Sequence, residues 1–195
     1  REYETVTDAA ALADWVRRLR AAPVAAVDTE TDSLDPMRAR LVGISFAVEP
    51  GRAAYVPVGH VGPDAPEQLP LDEVLAALRP WLEDEGCAKL GQNLKYDLHV
   101  FANHGVALRG IAHDTMLQSY VLEAHLGHSL EKLAERHLGR RGLSYEDMCG
   151  KGAAQIPFAQ VAVARATEYS GEDSEMALHV HLALWPQLQA EPALQ

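Results

Sequence analysis

Two kinds of hydrophobic pattern occur along the chain: one predicts strands, mostly in its first half, and the other predicts helices, which dominate its second half. Short apolar runs, typical of buried strands, occupy 24–27, 41–48, 53–58 and 88–91. Segments with apolar residues every three or four positions predict helices over 8–21, 71–81, 93–104, 114–123 and 130–138, with one short and one long helix over 157–188. This order predicts an α/β fold in which helices flank a mixed sheet.

Capping and turn residues predict where several of these elements begin and end. Pro50-Gly51 separates two strand candidates and predicts a hairpin turn. Asn93 is placed to cap one helix, which Gly105 would end, and Asp114 is placed to cap the next. Ser144 and the acidic residue three positions later have the spacing of a capping box.

The composition is that of one globular domain spanning 1–195, with a core over about 24–188. Apolar types make up 48% of the 195 residues, and no run approaches the roughly 18 apolar residues of a membrane span. Cys87 and Cys149 have no CxxC spacing, which favours a reducing, cytoplasmic setting. The chain begins with Arg1 rather than Met, and we expect it to be a piece of a longer protein.

The net charge argues against direct binding of nucleic acid. Seventeen basic and 28 acidic residues give a formal charge of −11, whereas phosphate contacts require Lys and Arg. This argument fails where carboxylates hold divalent cations that themselves meet phosphates. The positions of the carboxylates are therefore decisive.

The first two notable carboxylates, Asp28 and Glu30, directly follow the apolar run 24–27. Residues two apart in an extended chain point to the same face. The two side chains would repel each other unless a cation lay between them. The alternative is a solvated strand end that leads into a turn.

Tyr169 and Asp173 fall within the apolar stripe of the long C-terminal helix, one turn apart. A carboxylate in such a stripe must be paired, neutralised or bound to metal. Three other acids are predicted to lie outside the stripe: Glu168, Glu172 and Glu175. The alternative is a helix that begins later with Asp173 as its cap, which Gly171 would favour.

Asp97 lies at the edge of another stripe, formed by Leu94, Leu98 and Phe101. It is either a further inward carboxylate or a boundary residue paired with Lys95 or His104. With it, four carboxylates from three segments can face inward. Oxygen ligands select magnesium or manganese, and two such ions cut phosphodiesters in many nucleases.

The nine histidines do not form a zinc motif. HExxH and cysteine partners at zinc spacing are missing from the sequence. We therefore interpret the histidines of two sequence clusters as solvated: His125, His128, His137, His179 and His181.

Three strings in order resemble the exonuclease motifs of the DEDDy group. They are VDTETDSLDP at 27–36, GQNLKYD at 91–97 and YSGED at 169–173. The chain is most similar to the proofreading 3′→5′ exonuclease domain of bacterial family A DNA polymerases, the polymerase I type. Similarity continues through LVGISFA at 41–47, DTML at 114–117 and LAER at 133–136. Ser170 and Gly171 depart from the family, which often has alanines there.

The resemblance implies a ribonuclease-H-like fold and a two-metal active site with Mg²⁺ or Mn²⁺. Asp28, Glu30 and Asp173 would bind one ion, and Asp28 would bridge to a second that Asp97 holds largely through water. Tyr169 and Glu30 would orient the attacking water.

The resemblance also implies a substrate and a partner. The substrate is the 3′ end of single-stranded or frayed DNA, and the products are nucleoside 5′-monophosphates. Leu34 would wedge against the terminal base, while the strand's path would be lined by Thr31, Asn93, Tyr96 and Tyr145. We expect a polymerase domain in the same parent chain, no membrane association and a monomeric domain. The alternatives are an RNA-trimming DEDDy exonuclease and a non-catalytic DNA-binding or scaffolding module of a polymerase.

Overall fold

The structure, a computed structural model, describes residues 1–63 and 65–192. The strands in this part of the chain are β1 (Glu2–Thr5), β2 (Ala25–Thr31), β3 (Leu41–Glu49), β4 (Arg52–Pro57), β5 (Lys89–Gly91) and β6 (Ile111–Asp114). The α-helices are α1 (Ala9–Ala21), α2 (Leu71–Leu82), α3 (Leu94–Asn103), α4 (Thr115–Leu122), α5 (Leu130–Leu138), α6 (Tyr145–Cys149) and α7 (Val163–Ala190). Single-turn 3-10 helices occupy Gly152–Ala154 and Phe158–Gln160.

The strands form one mixed sheet in the order β1-β4-β3-β2-β5-β6. β2 lies inside the sheet, antiparallel to β3 and parallel to β5. The pairs β1–β4 and β5–β6 are parallel. The predicted α/β class is therefore confirmed, with β2 covered on both faces.

The first three helices cover one face of the sheet. Trp15 of α1 and Trp81 of α2 are buried in the same cluster as Ile44 and Phe46 of β3. Phe46 meets Trp81 edge to face, with ring centroids 5.7 Å apart. This side is a conventional hydrophobic core that stabilises the domain by burial of apolar surface.

Helix α7 covers the opposite face, where the strand residues are small. Ala26, Ala47 and Ala53 pack against Ala177 and its neighbour Leu178. Alanine side chains allow a 28-residue helix to lie close to the strands. Because side chains alternate along a strand, the face of β2 that carries Ala26 also carries the two acids that follow it at 28 and 30.

Most predicted element ends are confirmed. β3 ends at Glu49 and β4 begins at Arg52, so Pro50-Gly51 does form the hairpin turn. Asp114 accepts hydrogen bonds from the first N–H groups of α4, and Ser144 heads a complete capping box. The edge strands β1 and β6 were not predicted, since neither has an apolar run.

The prediction that the Asn93 side chain caps α3 is wrong. Asn93 precedes the helix in a left-handed conformation, with φ of 59°, and its side chain makes no capping bond. The carboxylate of Asp114 instead accepts from the backbone N–H groups of Asn93 at 3.1 Å and Leu94 at 2.8 Å. Asp114 therefore fixes the start of α3 as well as that of α4.

The prediction of solvated histidines is wrong for His181. This side chain is 4% exposed and is hydrogen-bonded to Gln118 at 2.9 Å. It also stacks on His113, with ring centroids 4.1 Å apart. Burial, together with the neighbouring His113, lowers the pKa of His181 to about 4.

The helices in the described part of this chain do not have the character of membrane spans. None of those within 1–63 and 65–192 is both long enough and apolar enough to cross a bilayer.

Candidate active site

The acids of the first motif lie within a strand rather than after it. The structure extends β2 to Thr31, beyond the predicted end at 27. Asp28 pairs with Ser45 of β3, and Glu30 pairs with Gly43. The alternative of a solvated strand end does not apply to Glu30, which is only 8% exposed. The two carboxylates face α7, as the alternation along β2 requires.

The third motif lies well inside α7, which begins at Val163. The alternative of a later helix capped by Asp173 is therefore wrong. Gly171 does not start the helix; it allows close packing, because a Cβ at this position would lie 3.1 Å from Tyr3 Cγ. Tyr169 and Asp173 project from this helix towards β2.

Three carboxylates converge between β2 and α7. Asp28, Glu30 and Asp173 each offer one oxygen, and these oxygens all lie within 4.8 Å of one another. A cavity of about 170 Å³ opens beside them and is lined by Asp28, Tyr169, Asp173 and Ala177 together with Gln92, Ser129, Leu130 and Glu131. The wall formed by the start of α5 was not anticipated, because its polar residues belong to none of the three motifs.

Asp97 lies next to this cluster but outside the group of three. It is 2% exposed and accepts a 2.6 Å hydrogen bond from Thr29 Oγ1. Neither predicted alternative partner, Lys95 or His104, is its partner. Leu98, predicted to face inward, is 36% exposed, because Asp97 takes that place on the buried face of α3.

The four acids raise one another's pKa. Burial and the charge of Glu30 place the pKa of Asp28 well above its usual range. Burial raises the pKa of Glu30 to about 7, although a hydrogen bond from Ser170 opposes the shift. Burial and the charge of Asp28 raise the pKa values of Asp97 and Asp173 in the same way. Every charged state of this site is therefore costly without an added positive charge.

The site fits a divalent cation. Its donors are carboxylate oxygens, the ligand type that magnesium and manganese prefer. The spacing of the three oxygens allows a single ion to contact all of them. Bringing a cation to the cluster would remove the mutual repulsion that raises the pKa values.

Tyr169 stands half-buried beside the cluster. Burial and the nearby charge of Asp173 raise the pKa of its hydroxyl, which therefore stays protonated. Its ring contacts Phe158 at a centroid distance of 5.9 Å, and Phe158 stacks on Tyr145 at 6.3 Å. Tyr145 is 39% exposed at the end of this aromatic row.

The remaining predicted substrate residues lie in the loop after β2 and in the elements beside it. Leu34 is 94% exposed. The hydroxyls of Thr31 and Tyr96 contact each other, and both donate to the carbonyl of Ser33. Their hydroxyl groups hold the base of the loop, whereas Asn93 is exposed at the start of α3.

Two residues that contact the acids were missed. Ser170 Oγ donates to Glu30 Oε1 at 2.6 Å, and Thr29 donates to Asp97. Thr29 lies between the acids of the first motif and Ser170 lies within the third. Their positions inside the motifs were the available signal, but their partners come from other segments of the chain.

A larger groove of about 800 Å³ lies elsewhere, between β6, α4 and the end of α7. Leu117, Val121 and Trp185 line it. Its apolar character distinguishes it from the acidic cavity, and the acidic cluster is not part of its lining.

Comparisons with known proteins agree with the geometry. A family model described as 3′-5′ exonuclease matches residues 3–189. DNA polymerase I of Pseudomonas aeruginosa is 46% identical over 196 residues, which cover 99% of this chain and 22% of that protein. The chain thus spans about a fifth of the length of this curated relative.

Solved structures share the fold. The POL domain of Pol1 from M. smegmatis, in complex with DNA primer-template and dNTP, has a TM-score of 0.71 at 21% identity, covering 95% of this chain and 27% of that one. Escherichia coli RNase D, an exoribonuclease, has a TM-score of 0.72 at 20% identity, covering 100% of this chain and 48% of that one. These likenesses confirm the ribonuclease-H-like fold. Because the family model matches nearly the whole chain, this protein belongs to the 3′-5′ exonuclease family of DNA polymerase I.

Proposed function

We propose that this domain removes nucleotides from the 3′ end of single-stranded or frayed DNA and releases nucleoside 5′-monophosphates. The observation that carries the proposal is the convergence of Asp28, Glu30 and Asp173 within 4.8 Å, where none of the described residues supplies a compensating positive charge to Asp28. The 46% identity to a DNA polymerase I favours DNA as the substrate. A longer parent chain would hold the polymerase domain as partner.

Two divalent metal ions, Mg²⁺ or Mn²⁺, complete the proposed site. Asp28, Glu30 and Asp173 would hold the first, while Asp28 and the adjacent Asp97 would hold the second. Bound there, the ions would lower the pKa of a water molecule and stabilise the charge that develops on the leaving oxygen. The bond that breaks joins the terminal phosphorus to the 3′ oxygen of the preceding nucleotide.

Tyr169 and Glu30 orient the attacking water in this proposal. The Tyr169 hydroxyl remains a hydrogen-bond donor because burial raises its pKa. Glu30 has one oxygen occupied by Ser170, which leaves the other free to act in the site. Such fixed polar groups accelerate a reaction because they need no reorganisation when charge develops.

The exposed residues around the cluster hold the strand in this proposal. Leu34 packs against the terminal base in this proposal. Its side chain is nearly fully exposed in the loop after β2, so it is available for such a contact. Tyr145 offers an aromatic face to a base, a contact that tolerates any sequence, and Asn93 lines the path at the start of α3. Thr31 and Tyr96 act mainly by fixing the loop that carries Leu34.

Digestion of a 5′-labelled single-stranded DNA oligomer in magnesium tests the proposal. We expect a ladder of shortened labelled products, which reports removal from the 3′ end, and no products in EDTA. Asp28→Asn is expected to abolish the ladder. Asp72→Asn, the same change at an exposed position of α2, serves as the control and should leave it unchanged.

Three other results would contradict the proposal. Faster digestion of an RNA oligomer of the same sequence would assign the domain to RNA trimming. Absence of digestion, with DNA binding retained, would indicate a non-catalytic module. Labelled mononucleotide as the first product would indicate attack from the 5′ end.

A further inference from the structure

Ser170 of α7 is hydrogen-bonded directly to Glu30. Its hydroxyl donates a hydrogen bond of 2.6 Å to Glu30 Oε1. Ser170 is completely buried and Glu30 is 8% exposed, so bulk water does not compete for this bond. A hydrogen bond to a carboxylate in such surroundings is stronger than one at the surface.

This bond restricts the orientation of the Glu30 carboxylate. Rotation of the carboxylate would carry Oε1 away from the Ser170 hydroxyl and leave that buried hydroxyl without its acceptor. Glu30 is therefore held in one arrangement relative to Asp28 and Asp173, with the three ligand oxygens within 4.8 Å of one another. A side chain that is already held loses less freedom when a ligand binds.

The same bond joins the two elements that supply the cluster. α7 carries Asp173, β2 carries Glu30, and Ser170 connects them. A pair of buried hydroxyls lies one turn later, where Ser174 contacts Ser45 of β3. That contact also joins α7 to the sheet, but it involves no acid, so Ser174 provides a matched comparison.

We propose that Ser170 is a positioning residue that holds Glu30 ready for a divalent cation. The inference rests on the proposed function. The Ser170 hydroxyl is not itself one of the three ligand groups. Its loss should weaken cation binding without removing a ligand.

The test compares Ser170→Ala with Ser174→Ala in a Mn²⁺ titration without DNA, followed by electron paramagnetic resonance of free Mn²⁺. We expect Ser170→Ala to raise the dissociation constant about tenfold, the change that corresponds to one hydrogen bond to a charged group. Ser174→Ala should stay within about twofold of the parent. The Mn²⁺ dependence of cleavage should shift by the same factor, and Ser170→Ala should approach the parent rate at saturating Mn²⁺.

Two results would overturn the inference. Unchanged Mn²⁺ affinity in Ser170→Ala would show that the hydroxyl does not prepare the site. Equal weakening in both variants would show that α7 needs its buried hydroxyls only for general packing. If the parent chain itself bound no Mn²⁺ and cleaved nothing, the proposed function would fail instead, so the two failures are distinguishable.

Discussion

Helix α7 contributes carboxylates to two groups of acids that differ in their surroundings. Asp173 lies with Asp28 and Glu30 on the β2 side, and burial raises their pKa values. Glu172 and Glu175, also on α7, are 6% and 1% exposed. Both are paired with Arg140, and hydrogen bonding to that arginine overcomes the effect of burial and lowers the pKa of Glu175.

The second group is fully satisfied by protein. Glu175 accepts hydrogen bonds from Arg140 at 2.7 Å, from the backbone N–H of Gly51 at 3.1 Å and from the Tyr3 hydroxyl at 3.2 Å. Glu172 accepts from Arg1 at 2.9 Å. Burial of a carboxylate therefore does not by itself mark a functional site. A cluster that raises its own pKa values, with no positive partner within residues 1–63 and 65–192, is a candidate cation site, because an added cation would stabilise its charged form.

The largest expected effect is a loss of DNA cleavage, and we expect it only for substitutions in the first group. Asp173→Asn should reduce cleavage of single-stranded DNA by a thousandfold or more, on the order of the loss seen when a group that stabilises a transition state is removed. The fold should remain, and stability in EDTA should rise, since one of the repelling charges is gone. Initial rates and thermal unfolding measure the two effects. Near-parent cleavage would remove Asp173 from the active site.

The pH dependence of stability should have opposite signs in the two groups. The pKa of Glu30 is about 7 in the folded chain against an ordinary 4.5, so the folded state binds its proton more tightly. Its contribution is complete below about pH 4.5 and is lost as the pH rises through 7, a loss on the order of 3 kcal/mol. Glu175, with its lowered pKa, contributes above its unfolded pKa and loses that contribution as the pH falls.

Urea unfolding in EDTA at pH 5 and pH 8 measures the balance of these terms. The pKa shifts are larger in the group of Asp28, Glu30 and Asp173. The metal-free chain should therefore be less stable at pH 8. Magnesium at pH 8 should restore the stability that the metal-free chain loses there. Greater stability at pH 8 than at pH 5 without metal would contradict the pKa directions assigned to the cluster.

A smaller effect, on the stability of the fold, is expected from the second group, Glu172 and Glu175. Glu175→Gln leaves Arg140 buried with only Glu172 as a charged partner, which should cost about 2 kcal/mol of unfolding free energy. Cleavage per folded molecule should stay within about threefold of the parent. Glu168→Gln, which breaks an exposed pair with Arg165 on the same helix, is the control and should cost less than about 0.5 kcal/mol. Equal stability of the two variants would show that the Glu175 contacts do not stabilise the fold.

The smallest effect concerns DNA affinity. With 17 basic against 28 acidic residues, the domain has no excess of positive charge to replace counterions on a phosphate backbone. In calcium, where cleavage is suppressed, the isolated domain should bind single-stranded DNA weakly, with a log–log salt slope below about 2 in magnitude. Fluorescence anisotropy between 50 and 300 mM salt checks this. A steep slope would indicate a basic surface that the charge pattern does not predict.

The sequence predicted the first group well because its signals are local. The period of two along β2 places Asp28 and Glu30 on one face, and the helical stripe includes Asp173. The convergence of these segments followed from the resemblance to a known family rather than from spacing. The same local signals could not predict the distance between Asp97 and the other three carboxylates. That distance depends on how α3 packs against β2.

The second group was predicted wrongly for a physical reason. Glu172 and Glu175 lie outside the apolar stripe of α7, and we therefore expected them at the surface. They are buried because β1, whose short polar sequence gives no strand signal, and Arg140 cover that side of the helix. Both partners are remote in sequence, so only the tertiary structure reveals the pairing.

The most direct test of the central claim is anomalous diffraction from crystals of this chain soaked in manganese. The claim is that Asp28, Glu30 and Asp173 form a divalent-cation site, and it predicts an anomalous peak within about 2.5 Å of oxygens from all three carboxylates. The same soak of Asp173→Asn crystals should weaken that peak. A map without a peak at this position, or with manganese bound instead at Glu172 and Glu175, would contradict the claim.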